Sequence, residues 1–170
     1  VSFLIESPRL RLSPFELSDA EDVFACITPA MTRYMAWEAP SSFDEYRSMC
    51  ERRAQSVDQK NLSWVIRLKE TRECLGMAGL ENIDNSTPEL GLWLKEAAYG
   101  HGFGSEVVRA VAAWASCALK KESFIYPVAV QNIASRRIAE KLDGEIIGQR
   151  TSPKYDSVVY KIPAMKGFNP

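Results

Sequence analysis

A mixed α+β fold, with helices flanking a mostly antiparallel sheet, is what this sequence predicts, and three observations carry it. Two pairs of β-like runs are joined by short connections, at residues 62–80 and 145–162, so hairpins dominate over crossovers. A hydrophobic run, Glu89-Leu90-Gly91-Leu92-Trp93-Leu94, leads instead through a glycine-rich turn into a long apolar helix. Helical stretches separate the remaining strands, and a chain of 170 residues is long enough for one well-buried domain and short for two, so residues 1–170 are expected to share one core.

Taken in order, Arg9-Leu10-Arg11-Leu12 alternates charged and apolar residues as a half-buried strand does. Ser18-Asp19-Ala20-Glu21-Asp22-Val23-Phe24 places a capping residue ahead of acidic first-turn positions and opens a helix. A broken helical stretch is expected through Arg33-Tyr34-Met35-Ala36-Trp37, and Pro40-Ser41-Ser42 starts another helix running from Phe43 to Ser56. Leu62–Leu68 and Cys74–Leu80 form a hairpin turning through Lys69–Arg72. After the strand at Glu89–Leu94, a helix is predicted from Ser105 to Leu119, with Lys120 and Lys121 at its negative end. A strand at Phe124–Val130 contains Pro127, which cannot donate a ladder hydrogen bond and therefore marks a free edge. Asn132–Leu142 reads as a helix with Ile138 and Leu142 on one face, and Glu145–Arg150 with Ser157–Ile162 closes the chain as a strand pair ending at Pro163.

Composition narrows the function. Hydrophobic residues make up 46% and charged residues 25%, with 21 basic against 22 acidic side chains, so no excess of positive charge recommends nucleic acid as a direct partner. No apolar run approaches the roughly 20 residues that span a bilayer, and no signal pattern opens the chain, which reads as cytoplasmic with no membrane partner. The chain starts at Val1 rather than Met, so a few residues are expected to precede it. The four cysteines, Cys26, Cys50, Cys74 and Cys117, lack a C-x-x-C pair and are expected to be buried thiols. His101 is the only histidine, which leaves no His/Cys cluster for a metal and no Ser-His-Asp triad.

The glycine-rich turn, Tyr99-Gly100-His101-Gly102-Phe103-Gly104, is a phosphate cradle by construction. Glycines at alternate positions let backbone N–H groups turn inward at a helix N-terminus, where free donors and the helix dipole both favour an anion such as a diphosphate. The Rossmann pattern G-x-G-x-x-G fails, because its last position falls on Val107 or Ser105, and no Gly-Lys-Ser/Thr follows for a Walker loop.

The run from Tyr99 to Glu106 resembles the coenzyme A pyrophosphate loop of the GNAT acetyltransferase superfamily, Q/R-x-x-G-x-G/A, with Gly102 and Gly104 in its two small positions and Tyr99 in place of Gln or Arg. The resemblance extends along nearly the whole chain and is similar to the RimJ/RimL branch. Its marks are Ser7-Pro8-Arg9-Leu10-Arg11-Leu12, Tyr34-Met35-Ala36-Trp37, Glu89-Leu90-Gly91-Leu92-Trp93-Leu94 and Asn132-Ile133-Ala134-Ser135. Two departures stand out: Leu142-Asp143-Gly144-Glu145 replaces Leu-Gly-Phe, and Ala139 stands where many GNAT enzymes have a catalytic tyrosine.

That resemblance implies a GNAT acyl-CoA N-acyltransferase fold, whose strands before and after the loop and its helix splay to admit the pantetheine arm. It implies acetyl-CoA as co-substrate, without a metal, and a primary amine as acceptor, either a protein N-terminus or a small molecule. Homodimers are common among such enzymes. Glu89 would accept the amine's proton, directly or through water, and Ser135 would protonate the departing thiolate. A backbone N–H at a bulge among Leu92, Trp93 and Leu94 would meet the thioester carbonyl. Tyr99, Gly100, His101, Gly102, Phe103, Gly104 and Ser105 would hold the pyrophosphate, Asn132 a pantetheine amide or merely the helix N-terminus, and Arg136 or Arg137 a phosphate. His101 is not expected to act as a base. Tyr34 and Trp37, with Met31 and Met35, would wall the acceptor side or pack the core. Two other classes remain open: a coenzyme-A-binding regulator without turnover, and a nucleotide-binding module using the same loop.

Overall fold

The computed structural model describes residues 2–55 and 60–167. The strands are β1 (Ile5–Glu6), β2 (Leu10–Pro14), β3 (Leu62–Leu68), β4 (Cys74–Glu81), β5 (Glu89–Leu94), β6 (Ser123–Ala129), β7 (Glu145–Thr151) and β8 (Asp156–Pro163). They form one eight-stranded sheet in the order β1-β2-β3-β4-β5-β6-β8-β7. Every neighbouring pair is antiparallel except β5 and β6. The helices are α1 (Ala20–Phe24), α2 (Pro29–Thr32), α3 (Phe43–Gln55), α4 (Phe103–Ala118) and α5 (Ile133–Lys141).

Strand alternation divides the core between the two faces of the sheet. Trp64, Ile66, Leu80, Leu90, Leu94, Phe124 and Tyr126 pack with Val107, Val111 and Trp114 of α4 and Ala139 of α5. A smaller cluster joins Val65, Cys74, Met77 and Trp93 to Val23 and Cys26 of the α1 region and Tyr46 of α3. On β5, therefore, Leu90, Leu92 and Leu94 face α4 and α5, while Glu89, Gly91 and Trp93 face α1 and α3.

The sheet opens between β5 and β6. The β4–β5 register runs without interruption from Glu81↔Glu89 to Gly76↔Leu94, whereas β5 and β6 pair only at Glu89↔Ile125 and then diverge. Ile125 donates its N–H to the Pro88 carbonyl at 3.0 Å, so the odd-numbered residues of β6 face β5. Two residues on, Pro127 faces the same way and has no N–H to leave unpaired, which is why proline is tolerated within this strand.

Several elements differ from their sequence-based expectation. Residues 33–34 are turn and 35–37 bend, not helix, and the helix in this region is α2, capped by Thr28, whose hydroxyl accepts the Met31 N–H at 3.1 Å. The Thr32 carbonyl accepts the Met35 N–H at 2.9 Å in a single turn, and the Lys154 ammonium donates to the Thr32 and Trp37 carbonyls at 2.9 and 3.2 Å. Helix α4 begins at Phe103, two residues before Ser105, because Gly102 serves as its N-cap. Register irregularities fall in the β3–β4 pair, where Leu75 is the extra residue opposite Ile66 and Arg67, and in the β7–β8 pair, where Ile147 is the extra residue, and not at Leu92–Leu94. Cys117 is exposed near the end of α4, whereas Cys26, Cys50 and Cys74 are buried as expected. Strand β1 escaped the pattern because two residues carry no periodicity. The expected end of the third helix at Ser56 lies outside the described residues.

Candidate active site

The glycine turn between β5 and α4 presents backbone donors with nothing to bind. Gly100 and Gly102 have φ of +78° and +77°, a left-handed conformation that a side chain would strain. The first intrahelical bond runs from Glu106 N–H to the Gly102 carbonyl at 3.2 Å. The amides of Phe103, Gly104 and Ser105 therefore lack intrahelical acceptors, and no side chain caps this end. Donors and dipole at this place fit a diphosphate. The Tyr99 side chain is 53% exposed and holds the loop through its backbone, donating N–H to the Glu96 carbonyl at 3.0 Å.

The turn is braced from the other end of the chain. Arg9 donates from Nε to Glu106 Oε2 at 2.7 Å and from Nη1 to the His101 carbonyl at 3.0 Å, and its guanidinium lies 4.4 Å from the centre of the Phe103 ring. Ser7 Oγ and the Arg9 N–H both donate to Glu106 Oε1, at 2.7 and 2.9 Å. Burial disfavours ionisation of Glu106, but the Ser7 hydroxyl, the Arg9 N–H and the Arg9 guanidinium outweigh it and hold its pKa below the usual carboxylate value. A carboxylate in the first helical turn would otherwise compete with an anionic ligand for the same dipole. His101 is exposed, with its ring 5.6 Å from that of Phe103.

Beyond the turn, the splay offers its own donors. Lys95 N–H is donated to the Leu75 carbonyl at 2.7 Å, so alternation directs the N–H groups of Trp93 and Gly91 toward β4 and those of Leu92 and Leu94 toward the opening. Trp93 thus contributes its ring and not its amide, and edges against Trp37 at 6.0 Å.

Ser135, in the first turn of α5, shares a 2.7 Å hydrogen bond with the hydroxyl of Tyr126 on β6. Burial pushes the Tyr126 phenol up to about 12, so it stays protonated. Asn132 is the N-cap of α5, its Oδ1 accepting the Ser135 N–H at 3.2 Å, which leaves the side-chain NH₂ for other partners. Arg136 is committed to the Tyr160 hydroxyl at 3.1 Å and the Val130 carbonyl at 3.2 Å, while Arg137 is exposed and unpaired among the described residues. Ala139 is fully buried against the core and has no group to offer.

Glu89 lies on the opposite face of the sheet from Ser135, so the two flank the splay from its two sides. It accepts a hydrogen bond from Arg150 Nη1 at 2.9 Å; the side chains are 26% and 48% exposed, respectively. The β7–β8 hairpin that carries Arg150 is tied down over this face by Lys154, which also pairs with Glu38 at 2.8 Å. Tyr34 and Trp37 are half-buried beside the same segment. Met31 belongs to the core, 4% exposed. Arg150, Lys154 and Tyr126 carried no signal of a role in the sequence, and Arg9, although part of the Ser7–Leu12 run, showed nothing there of its bond to Glu106, 97 residues away.

The acetyltransferase (GNAT) domain family matches residues 9–145, and the chain belongs to this family. Acetyl-CoA-dependent acetyl transfer is the activity that membership defines. The chain is 29% identical over 170 residues to the uncharacterized N-acetyltransferase YoaA of Bacillus subtilis (strain 168), covering 94% of this chain and 96% of that protein. An acetyltransferase of the GNAT family from Bacillus anthracis superposes with a TM-score of 0.82 at 19% identity, covering 95% of this chain and 99% of the other. A spermidine N-acetyltransferase from Vibrio cholerae, in complex with CoA and spermine, superposes with a TM-score of 0.78 at 17% identity, covering 93% and 97%. At these identities the structures share the fold alone. No group of His, Cys, Asp or Glu among the described residues is arranged to hold a metal, and no helix there is long and apolar enough to cross a membrane.

Proposed function

We propose that the protein acetylates a primary α-amine by direct attack on acetyl-CoA, with Glu89 as proton acceptor and Ser135 as proton donor. The observation that carries this reading is the placement of Glu89 and Ser135 on opposite faces of the sheet at the one break between β5 and β6. A thioester seated in that break meets an amine from the Glu89 side and releases its thiolate on the Ser135 side. Acetyl-CoA supplies the activated acyl group; the phosphate cradle at Gly102–Ser105 anchors it and Asn132 holds its pantetheine arm. Leu92 and Leu94 N–H groups face the opening and donate to the carbonyl oxygen as charge develops there.

The acceptor is a protein N-terminus, as the RimJ/RimL-like motifs suggest, or a small amine. The N-terminal amine of a peptide, with a pKa of roughly 8, is partly neutral at neutral pH, whereas a more basic amine, up to roughly 10.4 for a lysine side chain, relies more on the carboxylate to take its proton. Steady-state transfer with Glu89→Gln tests the assignment. The expected result is a loss of kcat on the order of 10²–10⁴-fold with acetyl-CoA binding retained. An unchanged kcat removes Glu89 from the mechanism.

A further inference from the structure

We infer that the acceptor is an amine carrying a carboxylate on the adjacent carbon, a free α-amino acid, and that Arg150 selects it; this rests on the reading of Glu89 as the group that receives the amine. Arg150 reaches Glu89 from β7, across β8 and β6, through one nitrogen, Nη1, at 2.9 Å. Among the described residues its Nε and Nη2 have no partner, and the side chain is 48% exposed. The guanidinium therefore keeps donors in the planar fork that matches a carboxylate in bidentate fashion.

Lys154, the neighbouring cation, is used up. Its three donors are matched by the Thr32 carbonyl, the Trp37 carbonyl and Glu38 Oε1, so it pins the hairpin and leaves ligand binding to Arg150.

The Glu89–Arg150 pair is the charge complement of a zwitterion. In an α-amino acid the amine nitrogen and the carboxyl carbon are about 2.5 Å apart, being joined through one carbon. An amine drawn to Glu89 thus brings its own carboxylate to the adjacent guanidinium, and four alternating charges replace two. A polyamine finds no such match. It has no carboxylate to offer the Arg150 fork, and Arg150 repels an ammonium group placed beside it.

The test compares free amino acids with their carboxamides, spermidine and short peptides as acceptors, in the native protein and in Arg150→Gln. Native protein is expected to favour an amino acid over its own amide by tenfold or more in kcat/KM, chiefly through KM. Arg150→Gln is expected to abolish that preference while binding acetyl-CoA as before. Because the readout is a ratio between two acceptors on one protein, any effect of the substitution on Glu89 itself cancels. Equal or better use of amides, peptides or spermidine overturns the proposal and leaves acetyl transfer through Glu89 standing, as does a preference that survives in Arg150→Gln. Failure to acetylate any free amino acid overturns it too. Undiminished kcat in Glu89→Gln instead overturns the reading beneath it.

Discussion

The hydroxyls of Ser135 and Tyr126 lie 2.7 Å apart, joining the first turn of α5 to the strand that borders the splay. Tyr126 is almost fully buried, and this is the only side-chain partner its hydroxyl has among the described residues. Ser135→Ala therefore does two separable things. It removes the proton donor, lowering kcat by about 10- to 100-fold, at or below the usual range for a general acid because a thiolate is a modest leaving group. It also strands the Tyr126 hydroxyl, costing about 1–3 kcal/mol of stability. Adding Tyr126→Phe removes the stranded group, so the double variant is expected to regain melting temperature but not kcat, read by thermal unfolding and steady-state kinetics.

Arg9 bonds both to Glu106 in the first turn of α4 and to the His101 carbonyl inside the glycine turn. It fixes the orientation of the donors without needing to touch the reacting atoms. Arg9→Ala is expected to raise KM for acetyl-CoA about 5- to 30-fold, equivalent to about 1–2 kcal/mol, with kcat nearly unchanged. Measured as a cycle with Glu106→Gln, the two losses should be strongly non-additive, because the residues share one network. Additive losses would show that Arg9 acts elsewhere.

Glu106 also sets an acid limit on stability. Its native pKa lies below that of an unfolded carboxyl group, so the unfolded chain binds the proton more readily. The stabilisation is therefore complete above the unfolded value of roughly 4.3 and is lost as pH falls through the native value. Thermal melts of native protein and Glu106→Gln should differ at about pH 7 and draw together as the pH falls below roughly 4.3. A gap that persists into acid would mean that the side chain's shape, not its charge, matters.

What the sequence made legible follows from range. The strand–turn–helix at Glu89–Ala118 is written in consecutive residues, and its glycines and apolar stripe are visible without a fold. The free edge at Pro127 was readable because proline's missing N–H is a property of one residue. The helical reading of residues 33–37 failed where the local bonding stops at one turn, from Met35 N–H to the Thr32 carbonyl, and Lys154, more than a hundred residues away, donates to the Thr32 and Trp37 carbonyls. The bulge was misplaced for a related reason: an extra residue in a ladder shows only against its partner strand, and the local mark at Leu75 and at Ile147 is no more than the glycine that follows each. Arg150 likewise reads as a surface charge on a strand until the hairpin brings it to Glu89.

Gly104 on α4 packs directly against Ile138 on α5. A Cβ at Gly104 would stand 2.6 Å from Ile138 Cδ1 and 3.4 Å from Leu92 Cδ2. Unlike Gly102, this residue has an ordinary helical conformation, so the need for glycine is one of space and not of backbone angle. Alanine here gains helix propensity of about 1 kcal/mol and overpacks the tip of Ile138, a cost of typically 1–3 kcal/mol that is smallest where the side chain turns aside. Gly104→Ala alone is therefore expected to leave the melting temperature level or slightly lowered and, by crowding Ile138 and Leu92 beside the splay, to weaken acetyl-CoA binding. Ile138→Val deletes the Cδ1 atom that the new methyl group would strike. Placed together with Gly104→Ala, it should restore affinity and any loss of melting temperature, measured by calorimetry and thermal unfolding. If stability returns but affinity does not, the new methyl group itself obstructs the coenzyme, and the turn is set by direct contact there instead of by the spacing of the two helices.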